Sequence, residues 1–237
     1  MKSLIANVSG ARTFRELKQI WCSYFAYRGV DQLNYSHYPP FGARDFGGIR
    51  MILSQGYPRD WHVAYAKAGY INRDPVLQRI LNVTRPVWFS DVEALPDLSE
   101  EEKTYFDLMR ACKIGDHLAL PVFGPAGCSG GFGVIFSPDT PKPSPDCVEH
   151  IHWLCQRTHI RYCELLVQNL EQVPTMSRRE LEVLSSIARG RTNAQIAREL
   201  SVTTKTVDTY LARVFHKFDV SDRMTAALRA IAMGLID

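Results

Sequence analysis

The chain has 237 residues, of which 46% are hydrophobic and 22% charged, with 15 Gly and 13 Pro. That composition belongs to ordinary globular proteins with room for one large or two smaller domains, and it excludes collagen, coiled-coil and disordered classes. The net charge of +3 is unevenly spread: residues 1–175 balance at 18 basic and 18 acidic groups, whereas residues 176–237 carry 10 against 7. An excess confined to the last quarter points to a phosphate-bearing partner for that segment. No apolar run approaches the roughly 20 residues a spanning helix needs. Met1–Asn7 has one Lys and no apolar stretch behind it, so no membrane or secretory segment is expected and the expected location is cytoplasmic. The six cysteines (Cys22, Cys112, Cys128, Cys147, Cys155 and Cys163) form no Cys-x-x-Cys pair and read as reduced, packed thiols.

In chain order, Thr13-Phe-Arg-Glu16 reads as a capping box. It opens a helix in which Phe14, Leu17, Trp21, Tyr24 and Phe25 recur at helical spacing until Gly29. Strand patterns follow at 30–35 and 49–53. Pro58 opens a short helix, Asp74-Pro75 another, and Ser99-Glu-Glu-Glu102 caps a third that runs to about Lys113. Two strands of a hairpin are expected at 117–123 and 132–136, joined by a glycine-rich connection over 124–131. After the Pro138–Pro145 breaker a long helix is expected from about Asp146 to Asn169. The fold class expected is α+β: an N-terminal α-β-α sandwich over 1–170, a linker at 171–175 around Pro174, and an all-α unit over 176–237.

In that last unit Ser177 and Glu180 form another capping box. Leu181, Val183, Leu184, Ile187 and Ala188 make the apolar face, and Gly190 stops the helix. A short helix over 193–200, with Ile196, Ala197 and Leu200 buried, is followed by a turn at 201–203 and a third helix over 204–218. Val207, Leu211, Val214 and Phe218 form one apolar stripe on it. Thr204 starts this helix, and Lys205, Thr206, Thr209, Arg213 and Lys217 occupy the other side, where cations suit phosphates and hydroxyls can reach base edges. Two helices joined by a tight turn, the second of them cationic, are a helix-turn-helix that enters the major groove of double-stranded DNA.

The run Ser177-Arg-Arg-Glu180, Leu184, Gly190, Ile196-Ala197, Leu200, Thr206-Val207, Lys217-Phe218, Arg223 and Gly234-Leu235-Ile236 resembles the DNA-binding domain of LuxR-type transcription factors. Tyr210 and Arg213 stand where many members carry His and Asn, which bears on which operator is read. The resemblance implies that the last helix, about 222–234, helps pair two such domains. Residues 1–120 lack the hydrophobic strands ending in acidic residues that a phosphorylated receiver would show. Instead Tyr57-Pro58-x-x-Trp61-x-x-x-Tyr65, Asp74-Pro75-Val76, Pro86-x-Trp88 and Leu120-Pro121-Val122 resemble the N-acyl-homoserine-lactone-binding domain of quorum-sensing LuxR receptors. That resemblance implies a ligand-binding set. The Trp61 indole would serve the lactone carbonyl, the Tyr57 hydroxyl the amide carbonyl and the Asp74 carboxylate the amide N–H, with Tyr65 and Trp88 as apolar walls for chain and ring. Gly133 stands at a ligand-facing position where many members have Ser or Thr, and His117 stands where Gly is usual, with Gly115 nearby.

The resemblance as a whole implies a homodimeric regulator of an inverted-repeat DNA site, responding to an acyl-homoserine lactone or to another small molecule, with no cofactor and no catalysis. Two rival patterns remain. Gly127-Cys128-Ser129-Gly130-Gly131 matches a hydrolase elbow, but that elbow requires a helix after the serine and a strand is expected here. His152, Cys155, His159 and Cys163 share one face of the long helix, the rival pattern of a metal- or haem-sensing regulator. Four ligands strung along three turns cannot surround one ion, so no metal site is expected there.

Overall fold

The computed structural model describes residues 2–39, 50–80, 83–169 and 174–236. They fall into two compact units, one within residues 1–38 and 48–168 and the other within 169–237. Residues 171–173 of the expected linker lie outside the described residues. Among those described, no helix is long and apolar enough to cross a membrane.

The first unit opens with α1 (Lys2–Gly10), which the sequence pattern does not announce, and α2 (Phe14–Ala26). The Thr13 side chain accepts from the Glu16 N–H, while Glu16 reaches back to the Arg12 N–H rather than to the cap itself. Strand β1 (Val30–Tyr38) pairs with β2 (Arg50–Gln55). Five helices follow: α3 (Arg59–Lys67), α4 (Tyr70–Arg73), α5 (Pro75–Ile80), α6 (Phe89–Glu93) behind the two-residue strand β3 (Val87–Trp88), and α7 (Glu100–Ala111). The Ser99–Glu102 capping box is complete at α7. Hairpin β4 (His117–Phe123) and β5 (Ser129–Phe136) leads to the long helix α8 (Pro145–Asn169).

The sheet is antiparallel throughout, in the order β2-β1-β5-β4-β3. Asn34 pairs with Gly133 and Gly133 with Ala119; one register step away, Tyr35 pairs with Phe132 and Phe132 with Leu120. Because alternate residues face opposite sides, the sheet carries two different surfaces. Leu33, Tyr35, Phe132, Val134, Leu118 and Leu120 belong to a core cluster shared with Leu17, Trp21 and Phe25 of α2 and Ile151, Leu154 and Leu165 of α8. Ile135 and Ala119 pack toward Trp61, Tyr70, Val76, Phe89, Tyr105 and Phe106 of the α3–α7 layer. The result is the expected helix–sheet–helix sandwich. The glycine-rich connection is shorter than expected: Gly130 and Gly131 are paired strand residues, and only a 3₁₀ turn, Pro125–Gly127, separates the strands.

The second unit is all helical: α9 (Arg178–Ala188), α10 (Asn193–Glu199), α11 (Thr204–Phe218) and α12 (Arg223–Ala232). Each start has its own cap, with full capping boxes at Ser177–Glu180 and Thr192–Gln195 and single caps at Thr203 and Asp222. Val183, Ile196, Val207 and Leu211 knit the first three helices together, and Leu184, Val214, Phe218, Ala226 and Ala230 knit α9, α11 and α12. Leu200, expected in the core, is only partly buried.

Candidate functional site

Between the sheet and the α3–α7 layer lies a cavity of about 80 Å³ lined by Tyr57, Trp61, Tyr65, Asp74 and Gly133. Five of the six residues expected to form a ligand site therefore converge, although 76 positions of sequence separate Tyr57 from Gly133. Their placement follows from local structure. Pro58 sets the start of α3, which carries Trp61 and Tyr65 one turn apart, with ring centroids 5.3 Å apart. Asp74 precedes α5, and its Oδ1 accepts the Leu77 N–H at 2.8 Å as an N-cap.

The Asp74 carboxyl is 6% exposed. Its Oδ2 accepts from the Tyr65 hydroxyl at 2.9 Å, and Tyr105 bonds to the same group. Burial pushes its pKa above the usual carboxylate value, while the bonds from Leu77, Tyr65 and Tyr105 pull the other way. Burial and the neighbouring Asp74 charge raise Tyr65, and burial raises Tyr57, so both hydroxyls stay protonated donors.

At the other end of the cavity the Asn34 amide donates to the Tyr57 hydroxyl at 2.7 Å, and His117 Nε2 lies 3.4 Å from that same oxygen. Asn34 thus supplies the proton the Tyr57 oxygen accepts and leaves the hydroxyl's own proton to donate. Burial depresses His117 to about 4, with the Asp116 charge opposing, so the imidazole is neutral. Its ring lies over Gly133: a Cβ built there would sit 1.8 Å from His117 Nε2 and 2.8 Å from Asn34 Nδ2. The two departures from the family pattern are therefore one feature.

Trp88 is not brought to the cavity. The pairing of Trp88 with Leu118 puts it on the other side of the sheet, beside Phe136, with the Lys142 ammonium 4.2 Å above its ring. Phe89, the next residue, lines the cavity instead, with its ring centroid 4.4 Å from that of His117. Sequence reasoning also missed Asn34, Ser36, Tyr38 and Tyr105. The strand alternation of 34, 36 and 38 was available as a signal, but which face met the ligand was not. A larger cleft of about 320 Å³ opens on the opposite face among Phe14, Leu17, Trp21, Leu53 and Tyr162. It is mostly apolar, although Arg15, Lys18 and Thr158 also line it, whereas the smaller cavity gathers Asn34, Tyr57, Tyr65 and the buried Asp74.

In the second unit α10, the turn at Ser201 (φ 55°) and α11 form the helix-turn-helix. Thr204, Lys205, Thr209 and Arg213 are exposed on α11. Thr206 is partly buried, and its hydroxyl lies 2.9 Å from that of the cap residue Thr203. Lys217 is not a free cation: its Nζ is 2.6 Å from the Glu180 carboxylate, whose side chain is 2% exposed, and it donates to the Thr175 carbonyl at 3.0 Å. Burial raises Glu180, but the Lys217 and Ser177 bonds outweigh it and hold the carboxyl below its ordinary value. Arg223 likewise faces inward, donating to the Asn193 carbonyl oxygen at 3.1 Å.

A cavity with oriented polar groups in one unit and a helix-turn-helix in the other define a transcription regulator with a small-molecule sensor. Ser129 begins strand β5, so the elbow pattern lacks its helix. Residues 14–162 match the autoinducer binding domain family and residues 174–230 match the luxR family of bacterial regulatory proteins. The chain belongs to the autoinducer-binding luxR regulators. It is 26% identical over 191 residues to the transcriptional activator AnoR of Acinetobacter nosocomialis, covering 79% of each chain. It is 25% identical over 196 residues to the quorum sensing-dependent regulator RpaR of Rhodopseudomonas palustris, covering 82% of this chain and 79% of that one. Among solved structures, Escherichia coli SdiA shares the fold with a TM-score of 0.76 at 20% identity, over 99% of this chain and 96% of SdiA.

Proposed function

We propose that the first unit binds an N-acyl-homoserine lactone in the cavity bounded by Tyr57, Trp61, Tyr65, Asp74 and Gly133, and that the chain binds an inverted-repeat DNA site as a homodimer. The observation that carries the ligand class is the convergence of an indole donor, a tyrosine hydroxyl primed by Asn34 and a buried carboxylate on one cavity. A lactone with two carbonyls and one amide N–H needs two donors and one acceptor. Tyr65 shares the Asp74 oxygen with the incoming amide, and Phe89 takes the wall position expected of Trp88. At about 80 Å³ the cavity is well below the roughly 300 Å³ of small-molecule pockets. The α3–α7 layer therefore yields as ligand enters, which couples binding to the packing of this unit.

Pairing is supported by α12, where Met224 and Ile231, two turns apart, are 64% and 41% exposed. Lys205, Thr209 and Arg213 form the face for phosphates and base edges. Thermal unfolding of the full chain against lactones of increasing acyl length tests the ligand. A ligand at about 100 times its Kd adds about 2.7 kcal/mol when it binds the folded state alone. Asp74→Asn keeps size and cap but weakens the acceptor, and should lose most of that shift. A folded, DNA-binding chain that no lactone stabilises would assign the cavity to a different small molecule.

A further inference from the structure

On the sheet face turned away from the ligand cavity, three elements bring four soft side chains together. His37 comes from β1, Cys128 from the end of the β4–β5 turn, and His159 and Cys163 from successive turns of α8. His37, His159 and Cys163 are buried, and one ligating atom of each lies within 4.8 Å of the others. The Cys163 Sγ is 3.6 Å from His159 Nε2. The Cys128 thiol neighbours the side chains of both Cys163 and His37 and interacts with each. Nδ1 of His37 is buried without a hydrogen-bond partner, a costly state for a polar atom. Tyr35 Oη lies 2.8 Å from His159 Nδ1, the second nitrogen of the ring whose Nε2 faces Cys163. Two glycines keep the surroundings open: a Cβ on Gly124 would come within 3.0 Å of both Cys163 Sγ and His159 Nε2, and one on Gly130 within 3.1 Å of the His159 ring.

We propose that His37, Cys128, His159 and Cys163 form a tetrahedral Cys2His2 site for a zinc ion. Zn–N bonds of about 2.0–2.1 Å and Zn–S bonds of about 2.3 Å at a tetrahedral angle put N and S about 3.6 Å apart, the separation already found between His159 and Cys163. The donor set is the soft and borderline one that selects zinc over hard cations. On binding, the two thiols release their protons to solvent and the two imidazoles ligate through lone pairs. The Tyr35 hydroxyl accepts from His159 Nδ1–H, fixing the tautomer and orienting the ring. The ion ties β1, the hairpin turn and α8 into one unit. The four residues on one helix face could not do this. His152 donates instead to the Pro121 carbonyl at 2.6 Å, and Cys155 is packed in the core.

Cobalt(II) titration of the full chain, stripped of metal and reduced under anaerobic conditions, tests the site independently of any lactone. One Co²⁺ per chain is expected, with the intense visible bands of tetrahedral cobalt and a thiolate-to-cobalt charge-transfer band, both bleached by one equivalent of Zn²⁺. Cys163→Ser and Cys128→Ser should each diminish the charge-transfer band, and the double variant should abolish it. Tyr35→Phe should weaken affinity about 10- to 100-fold, and Cys112→Ser, outside the cluster, should change nothing. Circular dichroism of each variant without metal confirms that it is folded. Absence of tetrahedral bands in folded, reduced wild type overturns the proposal, as does a charge-transfer band that is unchanged in either single variant or survives in the double variant. A Cys128–Cys163 disulfide in the protein as isolated, with no cobalt uptake after reduction, makes the pair a redox couple and also overturns it.

Discussion

His117 and Gly133 show how one residue can occupy its neighbour's place. The imidazole fills the volume a hydroxyl-bearing side chain would need, since a Cβ on Gly133 would meet His117 Nε2 at 1.8 Å. Gly133→Ser alone should therefore cost about 1–3 kcal/mol by overpacking. Combined with His117→Gly, which vacates the same space, its cost should shrink by at least about 1 kcal/mol. A double-mutant cycle by urea unfolding reads the coupling, and strict additivity would separate the two positions. His117 also sets a pH dependence. Its folded-state value of about 4 lies below the ordinary 6.5, because burial disfavours the charged ring. The unfolded chain thus binds the proton first as pH falls. The stability His117 provides is complete above about pH 6.5 and is lost toward pH 4. With His117 only partly buried, that loss is about 2 kcal/mol. His117→Gln should remove it from the difference in unfolding free energy between pH 7 and pH 4.5. An identical acid loss in the variant would place the titration elsewhere.

Elements whose signals are local were legible in the sequence, and those made by packing were not. Ser99–Glu102 and Ser177–Glu180 mark their helices directly because a capping box is spelled within four residues. Helix α1 has neither cap nor a clear stripe, and it folds through contacts such as Val8 in the sheet–α8 core. Gly130 and Gly131 read as a turn because glycine usually does. They are strand residues paired with His37 and Ser36 of β1, and a Cβ at either would come within 3.1 Å of the His159 ring or the Tyr38 hydroxyl. Trp88 was placed at the ligand by motif, but strand parity sends it to the opposite face and leaves Phe89 in its stead. Lys217 fits the cationic side of α11 by spacing alone, yet the buried Glu180 on α9 claims it. Lys217→Met should accordingly destabilise the second unit by about 3 kcal/mol, through the carboxylate left without its cation. Lys205→Ala with Arg213→Ala should shift stability by no more than about 0.5 kcal/mol per site, while lowering the salt dependence of DNA binding by about one counterion each. Chemical denaturation and operator titrations at several salt concentrations distinguish the two kinds of lysine. A Lys217→Met chain of unchanged stability that loses DNA affinity would return Lys217 to the reading face.

At the scale of the whole molecule, the proposed ligand and DNA sites lie in different compact units, and it is the proposed dimer that would give a small ligand leverage over a long operator. A two-fold pairing is isologous: any residue on the axis meets its own copy, and a substitution there counts twice. Met224 and Ile231 lie two turns apart on α12 with large apolar surfaces in solvent, while Ala226, Ala227 and Ala230 face the interior of the unit. That exposed apolar pair is the surface the proposed second copy would cover, and its cost in solvent would fall when the copies meet. Ile231→Arg, alone or with Met224→Arg, should leave lactone-induced stabilisation intact because both residues belong to the other compact unit. It should also leave binding to a single half-site within a few-fold of wild type, since Lys205, Thr209 and Arg213 are on another helix. What should fall is the advantage of an inverted repeat over that half-site, because linking two readers multiplies their affinities only while they are held together. Operator titrations with whole and half sites measure that ratio. A ratio that survives Ile231→Arg would move the pairing surface to the sensory unit, where the exposed Trp153 of α8 is the next apolar group to change.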